Sequence, residues 1–261
     1  MLVFSAIVPH SPILIPNIGG ENTNKLQKTI TSLNLLRDEL EKADPDTIII
    51  ISPHGEINFE AFSINTHQTY KANFQDFGDF ETDLEFKSDL NFVMSIKNQI
   101  NPNVPIQLIS HENLDHGVSV PLYYVLKDKT KRIVPINYSH LSYAKHVEFG
   151  EMLKEAIFDS DKKYAILASG DLSHKLSKNA PEGFSPQAKE FDKKIIQNLK
   201  KKNLSAILDM DRKLIKNASE CGLRSILVLL GVIKNMNYEF EVLSYESPFG
   251  VGYLVGEFKL L

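Results

Sequence analysis

The stretch Thr47-Ile-Ile-Ile-Ile-Ser-Pro-His-Gly55 decides how the chain folds. Four consecutive isoleucines leave no polar face, so the strand they form must be covered on both sides, as central strands of parallel sheets are. Directly before it, Asp44-Pro45-Asp46 stops a helix, because proline disfavours helical geometry in the residue that precedes it. That helix is written in Leu26, Ile30, Leu33, Leu36 and Leu40, which recur at three- and four-residue spacing between about Thr23 and Ala43. Before it lies another apolar run, Leu2 to Val8, closed by Pro9. The first fifty residues therefore read as a β-α-β unit.

The alternation continues to the end of the chain. Strands are expected at Phe62–Thr66, Ile106–Ile109, Ile133–Ile136 and Tyr164–Ala168. Helical patterns lie near Leu90–Ile100, Val118–Leu126, Ala144–Ile157 and Ala188–Leu199, with a last apolar helix from about Gly222 to Ile233. Phe240–Tyr245 and Tyr253–Phe258, separated by Pro248, Gly250 and Gly252, predict a C-terminal hairpin. The segment Asn73–Leu84, with its repeated Phe-Gly and Phe-acid steps, reads as a long loop. The fold class is α/β: a central mixed, mostly parallel sheet with helices on both faces. No repeat, linker or charge block divides it, so residues 1–261 are expected to form one domain.

Composition narrows the function. The 261 residues are 43% hydrophobic and 24% charged, which excludes disordered and low-complexity classes. Lysine and arginine number 29 against 33 acidic residues, so there is no cationic footprint for nucleic acid or an anionic membrane. Cys221 stands alone, which rules out an intramolecular disulfide. No basic leader precedes the first apolar run, and the longest later one, Ile226 to Ile233, is far short of a membrane span. A cytoplasmic location is expected.

Histidine placement carries the functional signal. His10 follows the first strand in Val8-Pro-His-Ser-Pro12, His54 follows the second, and His174 follows Tyr164–Ala168 in Ser169-Gly-Asp-Leu-Ser-His174. Ligands in open α/β sheets gather beyond the carboxyl ends of parallel strands, so these imidazoles should converge there. His116, in Leu114-Asp-His-Gly117, opens the next helix. Proline beside His10 and His54 stiffens both loops and fixes the ring directions. His67, His111, His140 and His146 lack such context and read as ordinary polar residues.

Two histidines on separate loops can hold a metal if a third ligand joins them. A carboxylate would complete the facial set that leaves Fe(II) positions open for substrate and dioxygen. Asp115, Asp171, Glu220 and Glu246 are the candidates, and Glu220 is preferred because it stands just before a strongly apolar helix. Acidic capping of that helix is the plainer role for the same residue. Cys221 competes, since a thiolate would favour zinc or copper. A serine hydrolase lacks its Gly-x-Ser-x-Gly elbow, and no phosphate-binding glycine loop occurs.

Pro9-His10, Ser52-Pro-His-Gly55, Asp115-His-Gly-Val-Ser-Val-Pro-Leu122, Ser169-Gly-Asp-Leu-Ser-His174 and Glu220-Cys-Gly222 occur in this order across nearly the whole chain. Together they resemble the catalytic, LigB-like subunit family of class III extradiol dioxygenases, which includes the Memo-like proteins. The resemblance implies Fe(II) held by His10, His54 and Glu220. It makes His174 the catalytic acid/base, and assigns His116 to binding and deprotonating the substrate hydroxyl. The substrates would be a small catechol-like aromatic diol and O2, with ring opening beside the diol. Cys221-Gly-Leu-Arg-Ser225 resembles the Memo-like branch, where a cysteine replaces the carboxylate; zinc or copper is then the alternative metal, with a redox or protein-interaction role. Related chains often pair, so a homodimer or higher oligomer is compatible with this reading. Closure of the pocket is expected from Asn73–Leu84 or from a partner chain.

Overall fold

A computed structural model describes residues 1–99 and 103–261. In chain order its elements begin with β1 (Leu2–Val8), α1 (Pro16–Gly19), α2 (Gln27–Ala43) and β2 (Thr47–Ser52). There follow β3 (Phe62–Asn65), β4 (Thr69–Phe74), β5 (Asp79–Ser88), α3 (Leu90–Asn98), β6 (Ile106–Ile109) and α4 (His116–Val125). Next come β7 (Arg132–Asn137), α5 (Tyr143–Phe158), β8 (Tyr164–Ser169), α6 (Ala188–Lys200), α7 (Leu204–Leu208) and α8 (Arg212–Ala218). The chain ends with α9 (Leu223–Val232), β9 (Tyr238–Glu246) and β10 (Tyr253–Leu260).

One ten-stranded mixed sheet runs β4-β5-β7-β2-β8-β1-β10-β9, with β3 and β6 attached beside β7. Its centre is parallel: β7, β2, β8 and β1 all point the same way. The two outer hairpins, β4–β5 and β9–β10, are antiparallel. β2 is buried along its full length, as its isoleucines require. Ile48 and Ile50 pack into the core on one face with Leu33 and Leu36 of α2 and Val118 of α4. Ile49 and Ile51 pack on the other with α5 and α9, so the alternation of the strand feeds two separate cores. The expected helix stop is present: Asp44 takes a left-handed φ of 47° and its N–H donates to Leu40 O.

Asn73–Leu84 is not a loop. It is the tip of the β4–β5 hairpin, closed by a short 3-10 turn at Gln75–Phe77 and by Gly78 at φ 87°. Its exposed face carries acidic residues because only one side of this outer hairpin is covered. The helix expected at Leu90–Ile100 spans Leu90–Asn98, and Ile100 lies outside the described residues. Among the described residues, no helix is long and apolar enough to cross a membrane.

Candidate metal centre

β8 lies between β1 and β2, so the loops leaving β1 and β2 approach each other over its carboxyl end. His10 and His54 meet there, Nε2 to Nε2 at 2.9 Å. Hydrogen bonding fixes the His10 tautomer. Ser169 Oγ donates to Gly117 O at 2.5 Å, so it accepts from His10 Nδ1–H at 3.0 Å and leaves the Nε2 lone pair facing His54. On the other side, the His54 N–H donates to Ser52 Oγ, whose own hydroxyl donates to Asp115 Oδ1 at 2.5 Å.

The third corner of the site is Cys221. Its Sγ lies 3.4 Å from His10 Nε2 and accepts a hydrogen bond from the Asp171 N–H at 3.3 Å. Two glycines make this approach feasible. A Cβ on Gly170 would collide with Gly222 Cα, so the start of α9 seats against the end of β8 only because both side chains are missing. Glu220 turns the other way: its Oε2 accepts from the Leu223 N–H at 2.6 Å, capping α9. Ser219, at φ 50°, separates the end of α8 from this pair of neighbours. The carboxylate expected as third ligand thus serves the helix, and the sulfur beside it meets the imidazoles.

His10 Nε2, His54 Nε2 and Cys221 Sγ all lie within 4.8 Å of one another. Ligand atoms around one tetrahedral Zn-type ion stand about 3.3–3.6 Å apart, given metal–nitrogen and metal–sulfur bonds of about 2.0–2.3 Å. The donor set fits a metal after adjustments of about an ångström. Burial disfavours every charge here. It pushes His10 well below the usual histidine range and His54 down to about 4, each assisted by the neighbouring histidines. It pushes the Cys221 thiol well above its ordinary value, with the Asp171 charge adding to the effect. Neutral imidazoles are ready ligands, and a bound cation would supply the charge that makes the thiolate favourable.

The remaining candidates surround this triad. His116 stacks on His54 at 4.2 Å between centroids, and Phe77 from the β4–β5 tip packs edge-on against His116 at 5.3 Å. His174 Nδ1–H donates to Ser219 O at 2.6 Å, which leaves Nε2 free, 4.0 Å from Asp171 Oδ2. Asp171 Oδ2 is also 4.0 Å from His10 Nε2, while Oδ1 accepts from the His10 N–H at 3.2 Å. Burial raises the Asp171 carboxyl to about 7. The loop bearing Asp171 and His174 is held from behind: Leu172 and Ser173 pair with Gly252 in the β9–β10 turn, and Asp192 accepts from the Ser173 N–H.

The structure brings His10, His54, His116, His174 and Asp171 together, and Glu220 is beside the site but engaged elsewhere. Glu246, another candidate carboxylate, accepts from Thr29 and ties α2 to β9. His111 pairs with Glu56 at the surface, and His146 is buried against the carbonyls of Ser139 and Ser142. Sequence reasoning missed Ser52 and Ser169 as orienting groups. Their signal was available: each is the last residue of a buried strand that leads into a histidine loop.

Comparison with known proteins places these features in a family. Residues 5–256 match the model of the family described as the catalytic LigB subunit of aromatic ring-opening dioxygenase. A Clostridium acetobutylicum protein is 32% identical over 258 residues, covering 95% of this chain but 55% of its own length. The chain thus spans about half of that relative. The 3,4-dihydroxyphenylacetate 2,3-dioxygenase of Escherichia coli is 24% identical over 212 residues, 77% of this chain and 76% of that one. A MEMO1 family protein of Methanosarcina mazei is 26% identical over 195 residues, 74% and 64% of the two chains. The crystal structure of an uncharacterised Escherichia coli K12 protein superposes with a TM-score of 0.70 at 18% identity, covering 98% of this chain and 99% of that one, which shows a shared fold.

Proposed function

The chain belongs to this LigB family, and we propose from that membership that it is a metal-dependent, dioxygenase-type oxidoreductase whose metal is held by His10, His54 and Cys221. The observation that carries the reading is the sulfur: Cys221 Sγ faces His10 while Glu220 caps α9. A two-histidine, one-thiolate set differs from the facial carboxylate set of Fe(II) oxygenases, and it leaves zinc and copper as competitors for the site. The metal would supply Lewis-acid or redox chemistry towards O2 and an aromatic partner.

The chain's own residues bind and handle protons. His174 Nε2 carries no hydrogen when Nδ1 donates to Ser219 O, so it can accept a proton from a bound hydroxyl. Asp171 stands within 4.0 Å of it, positioned to stabilise the imidazolium that results. His116, stacked on His54, presents a second imidazole to the same space and binds the substrate hydroxyl. Phe77 lies over His116 and shields the site from water on that side.

A second reading, ring opening of a catechol-like diol by Fe(II), draws on the two non-ligating histidines, since metal storage or transport alone requires neither. The test begins with anaerobic loading of Fe(II), Zn(II) and Cu(I). Cys221→Ala should lose at least about 100-fold in metal affinity, and Glu220→Gln less than about threefold. The reverse ranking would return the ligand role to Glu220. O2 uptake with a catechol panel then tests turnover, and its absence from an iron-saturated protein removes ring opening. His174→Ala should retain metal and lose turnover; loss of metal would make it a ligand.

A further inference from the structure

At the amino end of the sheet, opposite the candidate metal centre, one row of the strand register places two cations side by side. Thr69 of β4, Lys87 of β5, Arg132 of β7 and Thr47 of β2 are successive partners across four neighbouring strands. Like charges directly opposite each other destabilise a sheet. Among the described residues, no carboxylate offsets this pair. Lys87 has no hydrogen-bond or ion-pair partner, and Arg132 donates from Nη1 to the Ser88 carbonyl at 2.7 Å. That bond holds the guanidinium beside β5 and leaves Nε and Nη2 without an acceptor.

Both side chains line a cavity of about 420 Å³, within the range of about 300–1,000 Å³ typical of small-molecule sites. Lys162, just before β8, and Asp89, which caps α3, line it too. Asp89 does not neutralise the pair, because its oxygens are taken by Lys162, Thr47 and the Phe92 N–H. Three cations against one carboxylate leave a surplus of two positive charges, on a chain whose net charge is −4. Leu90 and Asn91, which open α3, are also in the lining, and their N–H groups have no acceptor among the described residues. Free N–H groups and the helix dipole add to the attraction that the side chains exert on an anion.

The surplus sets the charge of the ligand. A carboxylate brings one negative charge, whereas a phosphate group brings about −1.5 to −2 near pH 7, with three acceptor oxygens for donors arriving from different directions. A guanidinium fork and an ammonium suit such a group. We propose that Lys87, Arg132 and the start of α3 form a binding site for a phosphate group, either free or carried by a small molecule. The anion turns the repulsion between paired cations into two attractions, so its binding and the stability of the sheet are linked. The site is independent of the metal-centre reading, because the two share no residue.

Calorimetric titration at low ionic strength with inorganic phosphate, glycerol phosphate and acetate tests the site. Wild type should bind inorganic phosphate at least about tenfold more tightly than acetate. Lys87→Gln and Arg132→Gln should each weaken phosphate binding by about fivefold or more, and Arg132→Lys should weaken it less. Denaturant titration adds a readout that a damaged fold would not give. Without phosphate, Lys87→Gln should be at least as stable as wild type, and phosphate should stabilise wild type but not this variant. Tighter binding of glycerol phosphate than of inorganic phosphate identifies a phosphorylated small molecule as the ligand; equal binding identifies the free ion. Equal affinity of wild type for phosphate and acetate, or phosphate affinity unchanged in Lys87→Gln and Arg132→Gln, overturns the site.

Discussion

The two ends of the central strands treat buried charge in opposite ways. At the amino end, Asp89 is 2% exposed, and its carboxylate accepts from Thr47 Oγ1 at 2.7 Å, Lys162 Nζ at 2.8 Å and the Phe92 N–H at 3.2 Å. Burial opposes its ionisation, but those donors together outweigh burial and hold it below the usual carboxylate range. At the carboxyl end, His10, His54, Asp171 and Cys221 are each pushed towards the neutral form, with burial as the leading cause. Among the described residues, Asp171 has only histidines within ion-pair distance, and no Lys or Arg pairs with it. The buried carboxylate of the amino end is electrostatically complete, and the carboxyl end is complementary to an ion that the chain does not encode.

If that contrast is right, the largest effect belongs to metal addition. Zn(II) at about 100 times its dissociation constant should stabilise the wild type by about 2.7 kcal/mol. Cys221→Ala at the same zinc concentration should gain almost none of this, as denaturant titration would reveal. Equal stabilisation of both would place the ion elsewhere. The reciprocal experiment is Asp89→Ala, which should cost about 2–3 kcal/mol while leaving metal affinity unchanged, because hydrogen bonds to a charged buried group are lost at the complete end only. A simultaneous loss of metal affinity would show the two ends to be coupled.

A smaller effect distinguishes the ends by pH. The folded Asp171 carboxyl titrates at about 7, above its unfolded value of 3.8, so its contribution to stability is present at low pH and is lost as pH rises through about 7. Asp171→Asn should therefore flatten the decline in stability of the metal-free protein between about pH 4 and 7. An unchanged slope would remove Asp171 from the account. The smallest effect concerns access. Phe77→Ala should change stability by less than about 1 kcal/mol, since the ring is 40% exposed, yet should speed metal uptake in stopped-flow mixing. Unaltered uptake would mean that the hairpin tip does not limit entry.

What could be read in advance followed from burial. Ile48 to Ile51, Tyr164 to Ala168 and the apolar α9 are covered on all sides, so their character is unambiguous in composition. The β4–β5 hairpin was illegible because one face of it meets water, and charged residues at its exposed positions resemble those of a loop. Short α7 and α8 carry too few turns to show a period. In the site, His10, His54, His116 and His174 were legible from their places after strands or at a helix start. The choice between Glu220 and Cys221 was not. Adjacent residues in a turn point in different directions according to backbone torsions, and the left-handed Ser219 has no signature that separates it from any other serine. Ligation and capping both suit an acidic residue just before α9, and the Leu223 N–H is the partner Glu220 takes.

The placement of β8 also has a consequence for how the protein comes into being. β1 and β2 are consecutive in sequence but are never neighbours; residues 164–169 separate them in the sheet. A growing chain holds both imidazoles of the proposed ligand set by His54, yet the strand that sets their spacing ends at Ser169 and the thiol follows at Cys221. Non-local strand pairing of this kind forms slowly. An ion captured early would hold two loops with no scaffold beneath them, at a distance nothing has yet defined. If the proposed centre holds a metal, its acquisition would accordingly be the final act of maturation, performed after β8 and α9 are in place.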